Sequence, residues 1–182
     1  MDEFLNQLTQ SIPALRRYAY ALVRDSSIAD DLVQDCLERG LNKRAQWQGD
    51  GNLKSWLYRI LSNIHLNHYR SNKRNPLAQS SEITENLTMS PQLQNPANQL
   101  DRIYLTDLDK AIAELPEEQK QVLLLITLEG LSYREVAEIK QIPSGTVMSR
   151  LSRARETLRK NMASSTTASG PSGSTPHIRR IK

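Results

Sequence analysis

The sequence predicts an all-α fold: two small helical domains joined by a flexible linker, the C-terminal one containing a helix-turn-helix. Three observations carry this. Apolar residues recur at helical spacing along most of the chain. The periodicity lapses across Asn75–Gln99, which is rich in Asn, Gln, Ser, Thr and Pro and holds no Lys or Arg. Near the C-terminal end, two short helical patterns flank a break at Gln141-Ile142-Pro143. With 182 residues, 38% hydrophobic content and one Phe, two small helical cores are easier to build than one large core. The expected boundaries are residues 1–74 for the N-terminal domain, 75–99 for the linker, 100–162 for the C-terminal domain and 163–182 for a disordered tail rich in Ser, Thr, Ala and Gly.

The elements follow in order. Between Thr9 and Arg24, the positions Ile12, Leu15, Ala19, Leu22 and Val23 keep a helical period. Asp25-Ser26-Ser27 breaks it, and Ser27 with Asp30 resembles a capping box that opens a second helix. The apolar face of that helix reads as Ile28, Leu32, Cys36 or Leu37, and Leu41, and its outer face as Asp30, Asp31, Gln34, Asp35 and Glu38. Taken by itself, such an acidic face reads first as a solvated one. Trp47 through Asn52 is a turn-rich loop. It leads into a long helix from Leu53 with Trp56, Leu57, Ile60, Leu61 and Ile64 on one side, ending in the basic stretch Tyr69 to Arg74. Beyond the linker, helix resumes near Ala97, with Ile103, Leu108, Ile112 and Leu115 facing one way. Pro116 suits the first turn of the next helix, Glu117 and Glu118 complement its dipole, and Gly130 ends it.

The stretch Gly130 to Lys160 is the most informative. Ser132 with Glu135 forms a capping box, followed by Val136, Ala137 and Ile139 on an apolar side. After the break, Val147, Leu151, Ala154 and Leu158 recur at spacings of four, three and four. The other face carries Ser144, Thr146, Ser149, Arg150, Arg153 and Arg155. Exposed Arg beside short hydroxyl residues suits phosphate and base-edge contact, so this module reads as DNA-binding; the plainer alternative is a helical hairpin with a solvated basic face.

Charge is segregated. Lys54 to Arg74 holds five basic and no acidic residues, whereas Asp25 to Glu38 is acidic, although the net charge is only +4. One surface therefore suits a polyanion and another a different partner. Basic residues interleaved with Trp47, Trp56, Tyr58 and Tyr69 suit single-stranded nucleic acid, set against a core role for both Trp residues. A single cysteine, Cys36, excludes an internal disulfide and fits a reducing cytoplasm. No apolar run approaches membrane-spanning length, and no signal-peptide pattern is present, so a cytoplasmic location is expected. His65 and His68 lie three apart, but two ligands are not a metal site. There is no phosphate-binding Gly loop and no nucleophile elbow, so neither a cofactor, a metal nor catalysis is expected.

Three motifs in order then carry a resemblance. They are Ile28-Ala29-Asp30-Asp31-Leu32-Val33-Gln34-Asp35; Trp47-Gln48-Gly49 followed by Leu53, Trp56-Leu57-Tyr58-Arg59-Ile60 and Asn63; and Leu115-Pro116, Glu129 to Tyr133, Glu135-Val136-Ala137, and Pro143 through Arg155. The chain resembles bacterial sigma-70 family sigma factors of the extracytoplasmic-function (ECF) group, from about Ala14 to Lys160. The resemblance implies a factor that binds RNA polymerase core and directs promoter-specific initiation. The implied partners are the polymerase's largest-subunit clamp helices and flap, promoter DNA, and an anti-sigma factor.

Carried over by motif, Asp31, Gln34 and Asp35 would face the clamp helices, which replaces the solvated reading of that face. Trp47, Gln48, Asn52, Trp56 and Asn63 would serve −10 recognition around a flipped-out base, with Tyr58, Arg59, Arg70, Lys73 and Arg74 on the nearby backbone. The linker would occupy the RNA exit path. Ser144, Thr146, Met148, Ser149, Arg150 and Arg153 would serve the −35 element in the major groove, with Ser132 and Arg134 nearer phosphate. Met148 departs from the family pattern, which often has a basic residue there; loss of a bidentate Arg–base contact is worth about 1–3 kcal/mol. The loop residue is Trp47 where the family frequently has Phe. The alternative is a sigma-mimicking regulator that sequesters an anti-sigma factor without binding promoters. A dimeric helix-turn-helix repressor would leave the N-terminal module unexplained.

Overall fold

Helix α1 spans Glu3–Val23 in the computed structural model, which describes residues 3–47, 52–74 and 99–168. It starts before the expected Thr9, because Phe4 and Leu8 add another buried turn to the face continued by Leu15, Tyr18, Ala19 and Leu22. Pro13 lies inside it on the exposed side; a Pro removes one backbone donor, while Leu8, Ser11 and Leu15 remain buried on either side of it along the chain. The remaining elements are α2 (Ser26–Asn42), a 3-10 turn (Arg44–Gln46), α3 (Leu53–Arg74), α4 (Gln99–Ala113), α5 (Glu117–Thr127), α6 (Tyr133–Lys140) and α7 (Ser144–Ala168). There is no strand among the described residues. The expected linker falls at residues 75–98, outside the described residues, apart from Gln99, which opens α4.

Two details of α2 differ from expectation. The cap is Asp25, whose carboxylate accepts from the Ile28 N–H at 2.9 Å, and not the Ser27–Asp30 pair. Asp30 is used elsewhere: it accepts two hydrogen bonds at 2.8 Å from Arg16 and ties α2 to α1. The buried face is Ala29, Leu32, Val33, Cys36 and Gly40, while Ile28 and Leu41 are both 45% exposed. Small residues win the inward positions because α3 comes close: a Cβ at Gly40 would stand 3.2 Å from the Leu57 side chain. Helices α1, α2 and α3 thus form a three-helix unit around Leu15, Leu32, Leu57 and Leu61, all fully buried.

In the C-terminal half, α7 packs against α4, α5 and α6, and α6 also touches α5. Pro116 occupies the cap position just before α5 and not its first turn, with Gln119 and Lys120 donating to its carbonyl. Gly130 adopts φ 68°, and this left-handed residue lets the Leu131 N–H turn back to the Leu125 carbonyl. Ser132 and Glu135 form the expected capping box, and Gln141 at φ 54° makes the sharp turn between α6 and α7. Val147, Leu151 and Ala154 are buried as the spacing requires. Helix α7 continues past the expected limit at Met162 to Ala168, so residues 163–168 belong to it and only 169–182 of the expected tail lie outside the described residues.

The two halves also touch. Helix α1 meets α5, and α3 meets α6. Their buried apolar side chains form one continuous cluster, from Phe4 to Ala154, where two separate small cores were expected.

Candidate nucleic-acid interface

Helix α7 presents a polar face because its apolar residues are spent inward. Ser144, Ser149, Ser152, Arg153 and Arg155 are exposed, and Met148 is 52% exposed at the centre of that face. Ser149 Oγ donates to the Thr146 carbonyl at 3.0 Å, and Thr146 is half-buried. Arg150 differs from its neighbours: it turns back to α5, where it pairs with Glu118 and keeps only 22% of its side chain exposed. Beneath it lies Lys140. Burial, with Arg150 adding to it, brings the Lys140 ammonium down to about 8, while Lys140 donates to Gln121. At the start of α6, Ser132 is committed to its cap, and the exposed Arg134 lies 3.5 Å from Glu138.

Helix α3 is divided into faces with different uses. Asn52 caps it by accepting from the Lys54 N–H at 3.0 Å. Asn63, Arg70, Lys73 and Arg74 are exposed, and Arg59 is half-buried. Tyr58 is turned the other way. It is fully buried, its ring meets Tyr18 edge-on with centroids 5.4 Å apart, and its hydroxyl donates to Glu129 of the C-terminal half. Burial, then that hydrogen bond, push the Tyr58 phenol well above the ordinary range, so it remains a neutral donor. The same face carries Ser62, within 3.3 Å of Tyr18 Oη, and His65, whose Nε2 lies 2.7 Å from Glu117. His68, by contrast, is exposed, so the two histidines do not share a site; among the described residues no three metal-ligating side chains come together.

The aromatic residues are less free than a stacking platform requires. Trp56 is half-buried against the core. Trp47 packs on Phe4 at 5.4 Å, and its indole N–H is buried without a partner among the described residues. Gln48 and the rest of the loop to Gly51 lie outside the described residues. On α2, Asp31 and Gln34 are exposed, Gln34 donating to Glu38 at 3.1 Å, and Asp35 is half-buried. Helix α2 therefore keeps an acidic outer surface although Asp30 is taken by Arg16.

Sequence reasoning missed the groups that join the halves. Glu129 carries a side chain with no exposed area and receives hydrogen bonds at 3.0 and 2.9 Å from Arg17, with Lys54 Nζ at 3.6 Å. Arg24 pairs with Asp109, and the buried Glu117 is flanked by His65 and Lys120. One signal was present: Glu129 is a lone acid directly after the apolar run Val122–Leu128.

Residues 105–158 match the family described as Sigma-70, region 4, and residues 8–62 match the Sigma2 domain of PhyR. The chain is 31% identical over 157 residues to the ECF RNA polymerase sigma factor EcfG of Rhodopseudomonas palustris, covering 86% of this chain and 83% of that one. It is also 31% identical over 134 residues to the ECF RNA polymerase sigma-E factor of Escherichia coli, covering 70% of each. Among solved structures, the sigma factor RpoE of Bartonella quintana, in complex with the anti-sigma factor NepR, superposes with a TM-score of 0.72 at 31% identity, over 90% of this chain and 98% of that one. A PhyR–NepR complex from Sphingomonas sp. Fr1 shares the fold, with a TM-score of 0.61 at 24% identity. The motif order, the capped helix-turn-helix and these likenesses agree, and the chain belongs to the ECF group of sigma-70 family RNA polymerase sigma factors.

Proposed function

We propose that this sigma factor docks on RNA polymerase core through the acidic surface of α2 (Asp31, Gln34 and Asp35), reads and melts the −10 element with α3 and the loop before it, and reads the −35 element with α7. The observation that carries the reading is the division of α7. Val147, Leu151 and Ala154 are buried, while Met148, Ser149 and Arg153 stand exposed on a helix held by a capped partner helix. That is the form in which a helix-turn-helix offers side chains to a major groove. On α3, the exposed Asn63, Arg70, Lys73 and Arg74 supply an amide and cations suited to a melted strand. No described helix is long and apolar enough to cross a membrane.

Run-off transcription with purified core polymerase tests the reading. Promoter-dependent transcripts are expected, and they are expected to fall when Asp31 and Asp35 are changed to Lys. No transcript from any genomic promoter would falsify the assignment. A specific observation also supports an anti-sigma partner: a relative 31% identical is solved in complex with the anti-sigma factor NepR. A small protein of that class is expected to suppress the run-off signal stoichiometrically. The second reading, a sigma mimic that only sequesters an anti-sigma factor, draws on the match of residues 8–62 to the Sigma2 domain of PhyR. The same assay separates the two, since a mimic binds the anti-sigma factor and starts no transcript.

A further inference from the structure

Glu129 is placed where a solvated carboxylate would not choose to be. It follows the C-terminal turn of α5, its side chain has no exposed area, and donors from two helices of the other half converge on it. Arg17 of α1 supplies a two-pronged contact, Tyr58 of α3 a hydroxyl, and Lys54 of α3 an ammonium 3.6 Å away. A fork of guanidinium donors with a second cation and a hydroxyl is a site built for an oxyanion, and carboxylate and phosphate both satisfy it. Arg17 and Lys54 keep 53% and 36% of their side chains exposed, so the site opens at the edge of the contact between halves. It also lies on the helix whose run from Lys54 to Arg74 has five basic and no acidic residues. A polyanion following α3 meets the site at the N-terminal end of that helix.

The proposed function requires the halves to part. Elements at −10 and −35 lie about 25 base pairs apart, roughly 85 Å along B-DNA at ~3.4 Å per pair. Here Tyr58 and Glu129 are hydrogen-bonded. We propose that Arg17, Lys54 and Tyr58 form an anion site that Glu129 fills while the halves are packed together and that a backbone phosphate of promoter DNA fills once they part. Closure and DNA binding then compete for the same donors. The contact is releasable because a buried ion pair gains little net free energy over its solvated parts. This inference rests on the sigma-factor reading, since only that reading requires separation.

The test uses the full chain and a short labelled single strand of nonspecific sequence, with affinity read by fluorescence anisotropy across a salt series and overall size by small-angle scattering. Glu129→Gln is expected to increase the radius of gyration and to tighten strand binding by about tenfold, a typical coupling between linked equilibria. Adding Arg17→Gln and Lys54→Gln is expected to remove that gain and to lower the salt slope by about 0.7, the value for one single-strand phosphate. A larger radius with unchanged affinity overturns the phosphate site; a gain that survives loss of Arg17 and Lys54 does so equally. If Glu129→Gln does not fold, the exchange Arg17→Glu with Glu129→Arg rebuilds the pair with reversed polarity. That protein is expected to stay closed and to bind the strand more weakly than wild type, and wild-type affinity in it overturns the site. Run-off transcription in parallel separates the two failures: a wild type that transcribes while Glu129→Gln gains no strand affinity sinks only the site, and a wild type that does not transcribe sinks the sigma-factor reading.

Discussion

Helices α3 and α7 are both basic, both amphipathic and both assigned to DNA, yet they use their polar side chains differently. On α7 the residues opposite the core largely face solvent, with Met148 and Arg153 exposed, while Arg150 is drawn back to Glu118 and Asn161 donates to Glu114. On α3 the exposed side, from Asn63 to Arg74, is only part of the polar surface; Tyr58, Ser62 and His65 are buried and Lys54 is partly so, all engaged with α1 or the C-terminal half. The outer face of α7 is thus largely available as the chain stands, and that of α3 only in part. A basic amphipathic pattern specifies which side of a helix is polar. It does not specify whether a second module occupies that side.

The apolar sides of the two helices are equivalent, and this fixes the largest expected effect. Leu57 in α3 and Leu151 in α7 are 0% and 2% exposed. Leu57→Ala and Leu151→Ala should each destabilise by about 2–5 kcal/mol in urea unfolding. Equal losses confirm that the helices differ only in their polar faces. If Leu151→Ala instead costs less than about 1 kcal/mol, α7 is not anchored as described.

The next effect lies in the contact between halves. Burial alone raises the Glu117 carboxyl, but the hydrogen bond and charge of His65, followed by Lys120, outweigh burial and hold it below its ordinary value of 4.5. Because the folded value is depressed, the stabilisation is complete above 4.5 and fades as pH falls through the folded value. Glu117→Gln should therefore cost about 1.5–3 kcal/mol at neutral pH, the range for hydrogen bonds to charged groups. The gap between wild type and variant should close in acid below 4.5. A gap independent of pH would mean that Glu117 acts through shape and not charge. No equivalent is expected on α7, where Arg153→Ala should leave stability within about 0.5 kcal/mol. The same substitution should weaken −35 promoter binding by about 1–3 kcal/mol in an electrophoretic shift if Arg153 contacts a base.

What the sequence disclosed follows the range of the interactions. The helix-turn-helix was legible because its determinants are local: the Ser132–Glu135 capping box, the break at Gln141 and the spacing of Val147, Leu151 and Ala154. The inward face of α2 was misjudged because hydrophobic periodicity favours Ile28 and Leu41, whereas close packing on α3 selects Ala29 and Gly40. The site at Glu129 was missed because its partners Arg17 and Tyr58 stand 112 and 71 residues away. Only a lone acid after an apolar run marked it, and that pattern also fits an ordinary helix end. The assignments of Asp31, Asn63 and Met148 came from motif resemblance, that of Arg153 also from its place on the polar face of the helix-turn-helix, and the structure adds that each is exposed.

The smallest effects compare the caps of the two halves. In the N-terminal half, Asp25 alone caps α2 by accepting from the Ile28 N–H. In the C-terminal half the cap is reciprocal: Glu135 N–H donates to Ser132 Oγ at 3.3 Å, and Ser132 N–H donates to Glu135 Oε2 at 2.8 Å. Each satisfies helix-end donors that would otherwise lack an intrahelical partner. Asp25→Ala and Ser132→Ala should each cost about 0.5–2 kcal/mol. Their effects should add to within about 0.5 kcal/mol, because the caps share no partner. The Ser132 hydrogen bonds hold the Glu135 carboxyl below its ordinary value, so the contribution of the reciprocal cap should fade in acid as Glu135 protonates. The consequences diverge with function. Helix α6 packs on α7, the helix proposed to read the −35 element, so Ser132→Ala should also reduce −35 promoter binding, whereas Asp25→Ala should leave it unchanged. Equal losses of promoter binding from both would mean that the halves act as one rigid body on DNA, contrary to the separation that reading two elements requires.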